Sequence, residues 1–180
     1  SWFAQRTELA RKIHDRMEVY GITPVFPGFA GQVPDTFAAK NPQAQVINQG
    51  DWVGFVRPPM LRTYVKQGED YFSKVADVYY QTLKTTFGDI SHYYAVDPFH
   101  EGGNRADLDM VKVAQTVQNK MLEHDKDAVW IIQNWQENPT DDFLNGLKKD
   151  HALILDLYAD NKPNHAIRHE FSNTPWILSL

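Results

Sequence analysis

Hydrophobic positions along the chain follow two different periodicities. Near-continuous apolar runs at 128–133 and 152–157 are typical of parallel strands covered on both faces. Elsewhere apolar residues recur at spacings of three and four, which predicts helices over residues 2–20, 69–87 and 106–124. Alternation of strand and helix predicts an α/β fold built on a parallel sheet.

Weaker patterns predict the remaining elements. Strands are expected at 22–26, 45–48, 92–97 and 177–180, and short helices at 35–40 and 140–149. Residues 50–59 are expected to form a loop, since the chain shows no hairpin signal between strands. The pattern supplies about six parallel strands and no clear linker, so we expect a single domain over residues 1–180. A closed barrel needs about 250 residues, and the prediction is therefore a partial (β/α)8 TIM barrel that this chain leaves incomplete. The start at Ser1 and the apolar end at 176–180 lead us to expect an internal piece of a longer protein.

Composition narrows the classes of function. The net charge is -5 without a basic patch, which argues against a nucleic-acid partner. No apolar run reaches about 18 residues, so no membrane span is expected. The absence of cysteine excludes disulfides, zinc–thiolate sites and a cysteine nucleophile. Five tryptophans and 13% aromatic residues are compatible with a carbohydrate ligand, although composition alone favours an aromatic-rich core as the explanation.

Polar and aromatic side chains follow the predicted strand ends. They are Gly28, Phe29, Gly31, Gln32, Asp51, Trp52, Asp97, His100, Glu101, Asn134, Trp135, Tyr158 and Asp160. The carboxyl ends of parallel strands share one face of the fold, and ligands bind there. The repetition of this pattern after successive strands predicts a site on that face.

Glu101 is the strongest candidate for catalysis. It follows the strand at 92–97 and precedes Gly102 and Gly103, so a carboxyl group enters a glycine-rich loop. Cleavage of a glycosidic bond needs a proton donor for the leaving oxygen and a second carboxylate at the anomeric carbon. We interpret Glu101 as a general acid/base of a glycoside hydrolase, and the alternative is a solvated loop residue.

Other candidate residues have structural alternatives. His100 and Glu101 suggest a metal site, but the HExxH motif is absent because position 104 is Asn, and we expect neither a metal nor a cofactor. Trp52 and Trp135 serve either a sugar-binding rim or core packing, whereas Trp130 is expected in the core. A paired buried carboxylate is the simplest explanation of Asp156, and a substrate contact is the alternative. The remaining histidines are expected to be solvated: His14, His124, His151, His165 and His169.

Several blocks of the sequence resemble the α-N-acetylglucosaminidase family, glycoside hydrolase family 89. They are residues 22–34, 50–52, 97–103, 128–135 and 154–159, in the order in which the family has them. The block Asp97-Pro-Phe-His-Glu-Gly-Gly103 contains the glutamate that matches the acid/base of the family. Together the blocks cover nearly the whole chain.

The resemblance implies a (β/α)8 catalytic domain that hydrolyses terminal α-linked N-acetylglucosamine from glycans with retention of configuration and without a cofactor. It implies that Glu101 is the acid/base and that Trp52, Trp135 and Leu157 contact the substrate. We add His100, Asn134 and Tyr158 to the expected substrate contacts. The nucleophile of the family, a second glutamate, falls beyond Leu180, so we expect the 180 residues alone to be inactive.

Two other functions remain open. One is a non-catalytic carbohydrate-binding protein on a degenerate barrel, and the other is a metal-dependent hydrolase that uses His100 and Glu101. An incomplete barrel also exposes strand edges, which predicts self-association. The resemblance favours a secreted or periplasmic location in a bacterium and a lysosomal one in an animal.

Overall fold

The structure is a computed structural model that describes residues 1–99 and 101–179. Its α-helices are α1 (Trp2–Val19), α2 (Phe37–Lys40), α3 (Tyr71–Phe87), α4 (Met110–His124), α5 (Asp141–Asn145), α6 (Asn164–Ile167) and α7 (His169–Asn173). Its strands are β1 (Phe26–Pro27), β2 (Val46–Ile47), β3 (Asp51–Trp52), β4 (Phe55–Val56), β5 (Met60–Leu61), β6 (Tyr93–Ala95), β7 (Val129–Asn134), β8 (Ala152–Leu157) and β9 (Trp176–Ser179). His100, proposed above as a substrate contact, and Leu180 lie outside the described residues.

The described ranges contain one parallel sheet of five strands in the order β1-β6-β7-β8-β9. Each neighbouring pair is parallel. The strands lie side by side in chain order, as in a (β/α)8 barrel, but the sheet does not close within this part of the chain. The prediction of an α/β fold with an incomplete barrel is confirmed.

The core lies between the sheet and the long helices. Trp130 in β7 is fully buried, and its indole nitrogen donates a 2.8 Å hydrogen bond to the carbonyl oxygen of Val96. Its ring packs edge-on against Phe143 of α5 at 5.3 Å. The expectation that Trp130 belongs to the core is confirmed.

The segment 46–61, which we call the strap, differs from the prediction. Residues 45–48 were expected in the parallel sheet, but β2 instead pairs antiparallel with β5. The expected loop at 50–59 contains the β3–β4 hairpin, so the absence of hairpins was a wrong prediction. Its turn residues Val53 and Gly54 both have positive φ, 47° and 83°. A primed turn needs this conformation, but Val-Gly lacks the Asn or Asp that usually signals it in a sequence.

Helix α1 has the predicted length but not the predicted burial. No residue of α1 is buried in the described structure, and Leu9 and Ile13 of its apolar stripe are 46% and 49% exposed. The contacts of the helix with the rest of the chain include Arg11, which donates to the carbonyl oxygen of Thr86 at 2.7 Å, and His14, whose ring packs against Phe26 and Phe87. Among the helices of the described ranges, none is both long and apolar enough to cross a membrane.

Candidate active site

The ends of three adjacent strands bring Glu101, Trp135 and Tyr158 together. These residues follow β6, β7 and β8, which are neighbours in the sheet. The indole nitrogen of Trp135 donates a 2.8 Å hydrogen bond to Oε1 of Glu101. The rings of Trp135 and Tyr158 are 6.4 Å apart between centroids and inclined by 69°. Three of the residues predicted from the sequence therefore lie in one contiguous group.

The loop at 101–104 gives Glu101 its position. Glu101 is half-buried and has a φ of 52°, and Gly102 and Gly103 follow with φ of 102° and 99°. This run of left-handed conformations turns the chain sharply, and two glycines adopt it without steric cost. Just before the loop, Oδ1 of Asp97 accepts a 3.0 Å hydrogen bond from the backbone amide of Gln133. This bond connects the residues after β6 to β7.

A cleft of about 280 Å³ opens beside Glu101. Its lining residues are Gln32, Gln49, Trp52, Arg57, Pro58, Asp97, Pro98 and Glu101. Trp52 is 45% exposed, so it contributes a flat apolar face rather than core packing. Sequence reasoning did not select Gln49 and Arg57 as site residues. Their position depends on the pairing of the strap, which the sequence pattern did not reveal.

Trp135 forms part of the wall of a second cleft, which has a volume of about 200 Å³. Its lining residues are Trp135, Gln136, Leu157, Tyr158, Lys162 and Asn164. Leu157 and Tyr158 thus share one cleft, as the prediction of a common site requires. Trp135 lines this cleft and also donates the hydrogen bond to Glu101.

Asn134 lies beneath the clefts and not among their lining residues. It is fully buried, its Nδ2 donates to Oδ1 of Asp156 at 2.9 Å, and its Oδ1 accepts from Nη1 of Arg168 at 3.0 Å. Asp156 is also fully buried and accepts from the amide nitrogen of His165 at 3.0 Å. The interpretation of Asp156 as a paired buried carboxylate is confirmed. Asn134 is therefore engaged at both ends by protein groups.

The expectation of solvated histidines is wrong for most of them. The ring of His165 contacts Oδ2 of Asp156 through Nδ1 at 2.7 Å and stacks on Trp176 at 4.0 Å. His14, His124 and His151 are also only partly exposed, and each packs or hydrogen-bonds within the protein. The polar stretches around these histidines suggested exposure to solvent. Their contacts could not be seen there, because the partners lie elsewhere in the chain.

A histidine–aspartate cluster lies at the opposite edge of the sheet. In the described ranges, His92, Asp125 and Asp127 place ligand atoms within 4.8 Å of one another. His92 Nδ1 lies 2.9 Å from both carboxylate oxygens of Asp125, and this hydrogen bond raises the pKa of His92. An ion pair accounts for this cluster, which lies at the amino ends of β6 and β7, away from Glu101.

The family model described as Alpha-N-acetylglucosaminidase (NAGLU) tim-barrel domain matches residues 1–180. The chain belongs to this family. The human relative named Alpha-N-acetylglucosaminidase is 27% identical over 191 residues, which cover all of this chain and 26% of that protein. Two solved structures of a family 89 glycoside hydrolase from Clostridium perfringens, in complex with PUGNAc and with 2-acetamido-1,2-dideoxynojirmycin, are each 55% identical with a TM-score of 0.94.

A third structure of the Clostridium perfringens enzyme has the same similarity to this chain. It is a variant with two glutamates changed to glutamine, in complex with its substrate GlcNAc-alpha-1,4-galactose. Each of these three structures matches 97% of this chain and 20% of the bacterial one. The chain thus spans about a quarter of the human family member and a fifth of the bacterial one. The family and the barrel fold implied by the sequence resemblance are confirmed, whereas the roles of individual residues remain predictions.

Proposed function

We propose that this chain forms part of the catalytic barrel of a retaining α-N-acetylglucosaminidase, with Glu101 as its general acid/base. The observation that carries the proposal is the placement of the Glu101 carboxyl group. It lies at the carboxyl edge of the sheet, beside a cleft, and accepts a hydrogen bond from Trp135. The names of the human and bacterial relatives support a substrate with terminal α-linked N-acetylglucosamine.

The geometry suits proton transfer. Because Oε1 of Glu101 accepts the indole proton of Trp135, the acidic proton belongs on Oε2. Glu101 passes this proton to the glycosidic oxygen as the C–O bond breaks and its electron pair moves to that oxygen. A second carboxylate forms the bond to the anomeric carbon, and water, deprotonated by Glu101, later displaces it with net retention.

We place the second carboxylate outside these 180 residues. A retaining pair of carboxyl groups is separated by about 5–5.5 Å. The glutamates changed in the bacterial variant are more than a hundred positions apart in its sequence. No residue here is more than 100 positions from Glu101, so if Glu101 matches either glutamate, the other falls beyond this chain. The 180 residues alone are then expected to hydrolyse nothing.

The test is Glu101→Gln in the full-length protein. Loss of general acid catalysis is expected to lower kcat on an α-linked N-acetylglucosaminyl disaccharide by about 10²–10⁴-fold, while the affinity for N-acetylglucosamine persists. Glu137→Gln is the control, because this exposed glutamate follows the neighbouring strand β7 and does not line either cleft. Turnover near that of the wild type in Glu101→Gln contradicts the assignment. Ligand binding without any hydrolysis by the wild type favours a non-catalytic carbohydrate-binding protein.

A further inference from the structure

The strap is joined to the 101–104 loop by several hydrogen bonds. Nη2 of Arg57 donates to the carbonyl oxygen of Glu101 at 2.7 Å. The side chain of Gln49 makes two hydrogen bonds to the backbone of Asn104. Its Nε2 donates to the carbonyl oxygen of Asn104 at 3.0 Å, and its Oε1 accepts from the backbone amide of Asn104 at 3.1 Å. Nδ2 of Asn104 donates to the carbonyl oxygen of Asn48 at 3.2 Å. These bonds connect segments that are 44 to 56 positions apart in the sequence.

The backbone of the loop requires such external support. Glu101 is not a glycine, yet its φ is 52°. The left-handed region is sterically unfavourable for a residue that has a Cβ atom, and such conformations persist where their surroundings enforce them. Arg57 holds the carbonyl group of Glu101 itself, and Gln49 holds the far end of the turn. Without these contacts the loop is free to relax and to displace the carboxyl group.

Gln49 is itself fixed in place. It is only 7% exposed, and both its amide oxygen and its amide nitrogen bond to Asn104. A Cβ on Gly103 would lie 2.7 Å from Oε1 of Gln49, so loop and strap are in close contact. The strap is anchored in the core by Met60 and Leu61, which are 0% and 1% exposed. The core therefore determines the position of Gln49 and, through it, that of the loop.

We propose that Gln49 and Arg57 are positioning residues for the proton-transfer step. Trp135 orients the carboxyl end of Glu101, and the strap fixes its backbone. The two restraints together define where the proton is delivered. This inference rests on the proposed role of Glu101 as acid/base.

A positioning role has a kinetic signature that a purely structural role lacks. A sugar is a poor leaving group and needs a proton as the bond breaks, whereas a dinitrophenolate leaves without one. Displacement of Glu101 therefore slows cleavage of the first substrate far more than that of the second. Loss of folded protein, or of binding to the N-acetylglucosaminyl group that the two substrates share, slows both to the same extent. Because Gln49 and Arg57 also line the cleft, kcat and KM are measured separately: loss of a contact with the leaving sugar alone raises KM for the disaccharide and leaves its kcat unchanged.

The experiment measures kcat/KM, which reports the first bond-breaking step, for Gln49→Ala in the full-length protein. The substrates are an α-N-acetylglucosaminyl disaccharide and the matching dinitrophenyl glycoside. We expect kcat/KM to fall about 10–100-fold on the disaccharide and less than about threefold on the aryl glycoside, since misplacement by about 1 Å costs rates of this order. Equal losses on both substrates, or no loss, overturn the proposal.

Three further variants separate the possible outcomes. Arg57→Met removes the other support and is expected to show the same selectivity, so it decides the question if Gln49→Ala does not fold. Gln45→Ala is the matched control, because Gln45 is exposed and, among the contacts described, its side chain bonds only to the carbonyl oxygen of Gln67. Glu101→Gln must itself show the selectivity, or the proposed function fails. If Glu101→Gln shows it and the strap variants do not, only the present inference fails.

Discussion

The indole nitrogen of Trp135 lies 2.8 Å from Oε1 of Glu101 and joins the loops that follow β6 and β7. Trp135 also lines the second cleft with Leu157 and Tyr158. One aromatic residue therefore both orients the candidate acid/base and forms a wall of the neighbouring cleft. Its polar and apolar functions are separable by substitution.

Trp135→Phe removes the hydrogen bond to Glu101 but keeps an aromatic wall for the neighbouring cleft, because phenylalanine has an aromatic face and no N–H group. Glu101 becomes charged as it gives up its proton, and a hydrogen bond to a charged group is worth about 1.5–3 kcal/mol, so loss of the indole donor is expected to lower kcat by about 10–100-fold with little change in KM. Trp2→Phe on the exposed part of α1 is the control. A large rise in KM with kcat preserved would show that Trp135 acts only on binding.

The His92–Asp125 pair predicts a pH dependence of stability. The hydrogen bond to Asp125, helped by the charges of Asp89 and Asp127, raises the pKa of His92. The pair therefore stabilises the fold fully below about pH 6.5, the ordinary pKa of histidine, and this contribution is lost as the pH rises through the raised value. The side chain of His92 is 41% exposed, so screening limits the effect to about 0.2–1 kcal/mol.

The measurement is the free energy of unfolding of the wild type and of His92→Gln between pH 5 and pH 9. The difference between them is expected to be largest at the acidic end and to vanish at the alkaline end. A difference that grows with pH has the wrong sign for this explanation.

Gly146→Ala is expected to destabilise the packing of α5 against α4. A Cβ at this position would overlap the carbonyl oxygen of Val111 and come within 2.9 Å of the Cβ of Ala114. Overpacking of this kind costs about 1–3 kcal/mol, measurable by chemical denaturation. Asn145→Ala, at the exposed neighbouring position, should stay within about 0.5 kcal/mol of the wild type.

Val53→Asn is expected to stabilise the strap. Val53 is 80% exposed and has a φ of 47°, which a β-branched side chain disfavours and asparagine tolerates. A gain of about 0.5–1 kcal/mol should appear in thermal unfolding or as slower amide exchange in β3 and β4. Val56→Asn is the control, since this residue is similarly exposed but lies within β4. Equal effects of the two substitutions would exclude turn strain as the cause.

Edge strand β9 predicts self-association of the isolated 180-residue chain. Ile177 and Leu178 on this strand are 48% and 60% exposed, and exposed apolar edges favour pairing with other chains. Light scattering is expected to show dimers or larger species, and Leu178→Lys should reduce them. Val78→Lys on α3, where Val78 is 64% exposed, should not. A monomer at high concentration would contradict the prediction.

Elements with strong local patterns could be predicted from the sequence. The apolar run at 152–157 has the bounds of β8, and α3 ends at Phe87 as predicted. Part of the candidate site was predicted for a related reason, because Trp135 and Tyr158 directly follow such strands and Glu101 lies a few residues after β6. The sequence therefore predicts those features that depend on the residues of one segment alone.

Features that depend on contacts between distant segments could not be predicted. The strap was missed because Val53 and Gly54 form a turn without its usual signal, and Gln49 and Arg57 were missed with it. Asn134 occupies a strand end like its neighbour Trp135, but its amide is bonded to Asp156 and Arg168. Position along a strand does not show whether a side chain lines a cleft or is held by protein groups, because this depends on its partners on other elements.

The strap lies between β1 and β6 in the sequence but outside the parallel sheet. If Gln49 and Arg57 act as proposed, the parallel sheet and the alignment of Glu101 depend on different stretches of the chain. Substitutions at these two positions are then expected to alter the preference for one leaving group over another without changing the buried apolar residues of the strap, such as Met60 and Leu61. Within the family, differences in substrate range are accordingly expected to arise from changes in the strap sooner than from changes in the strands of the parallel sheet.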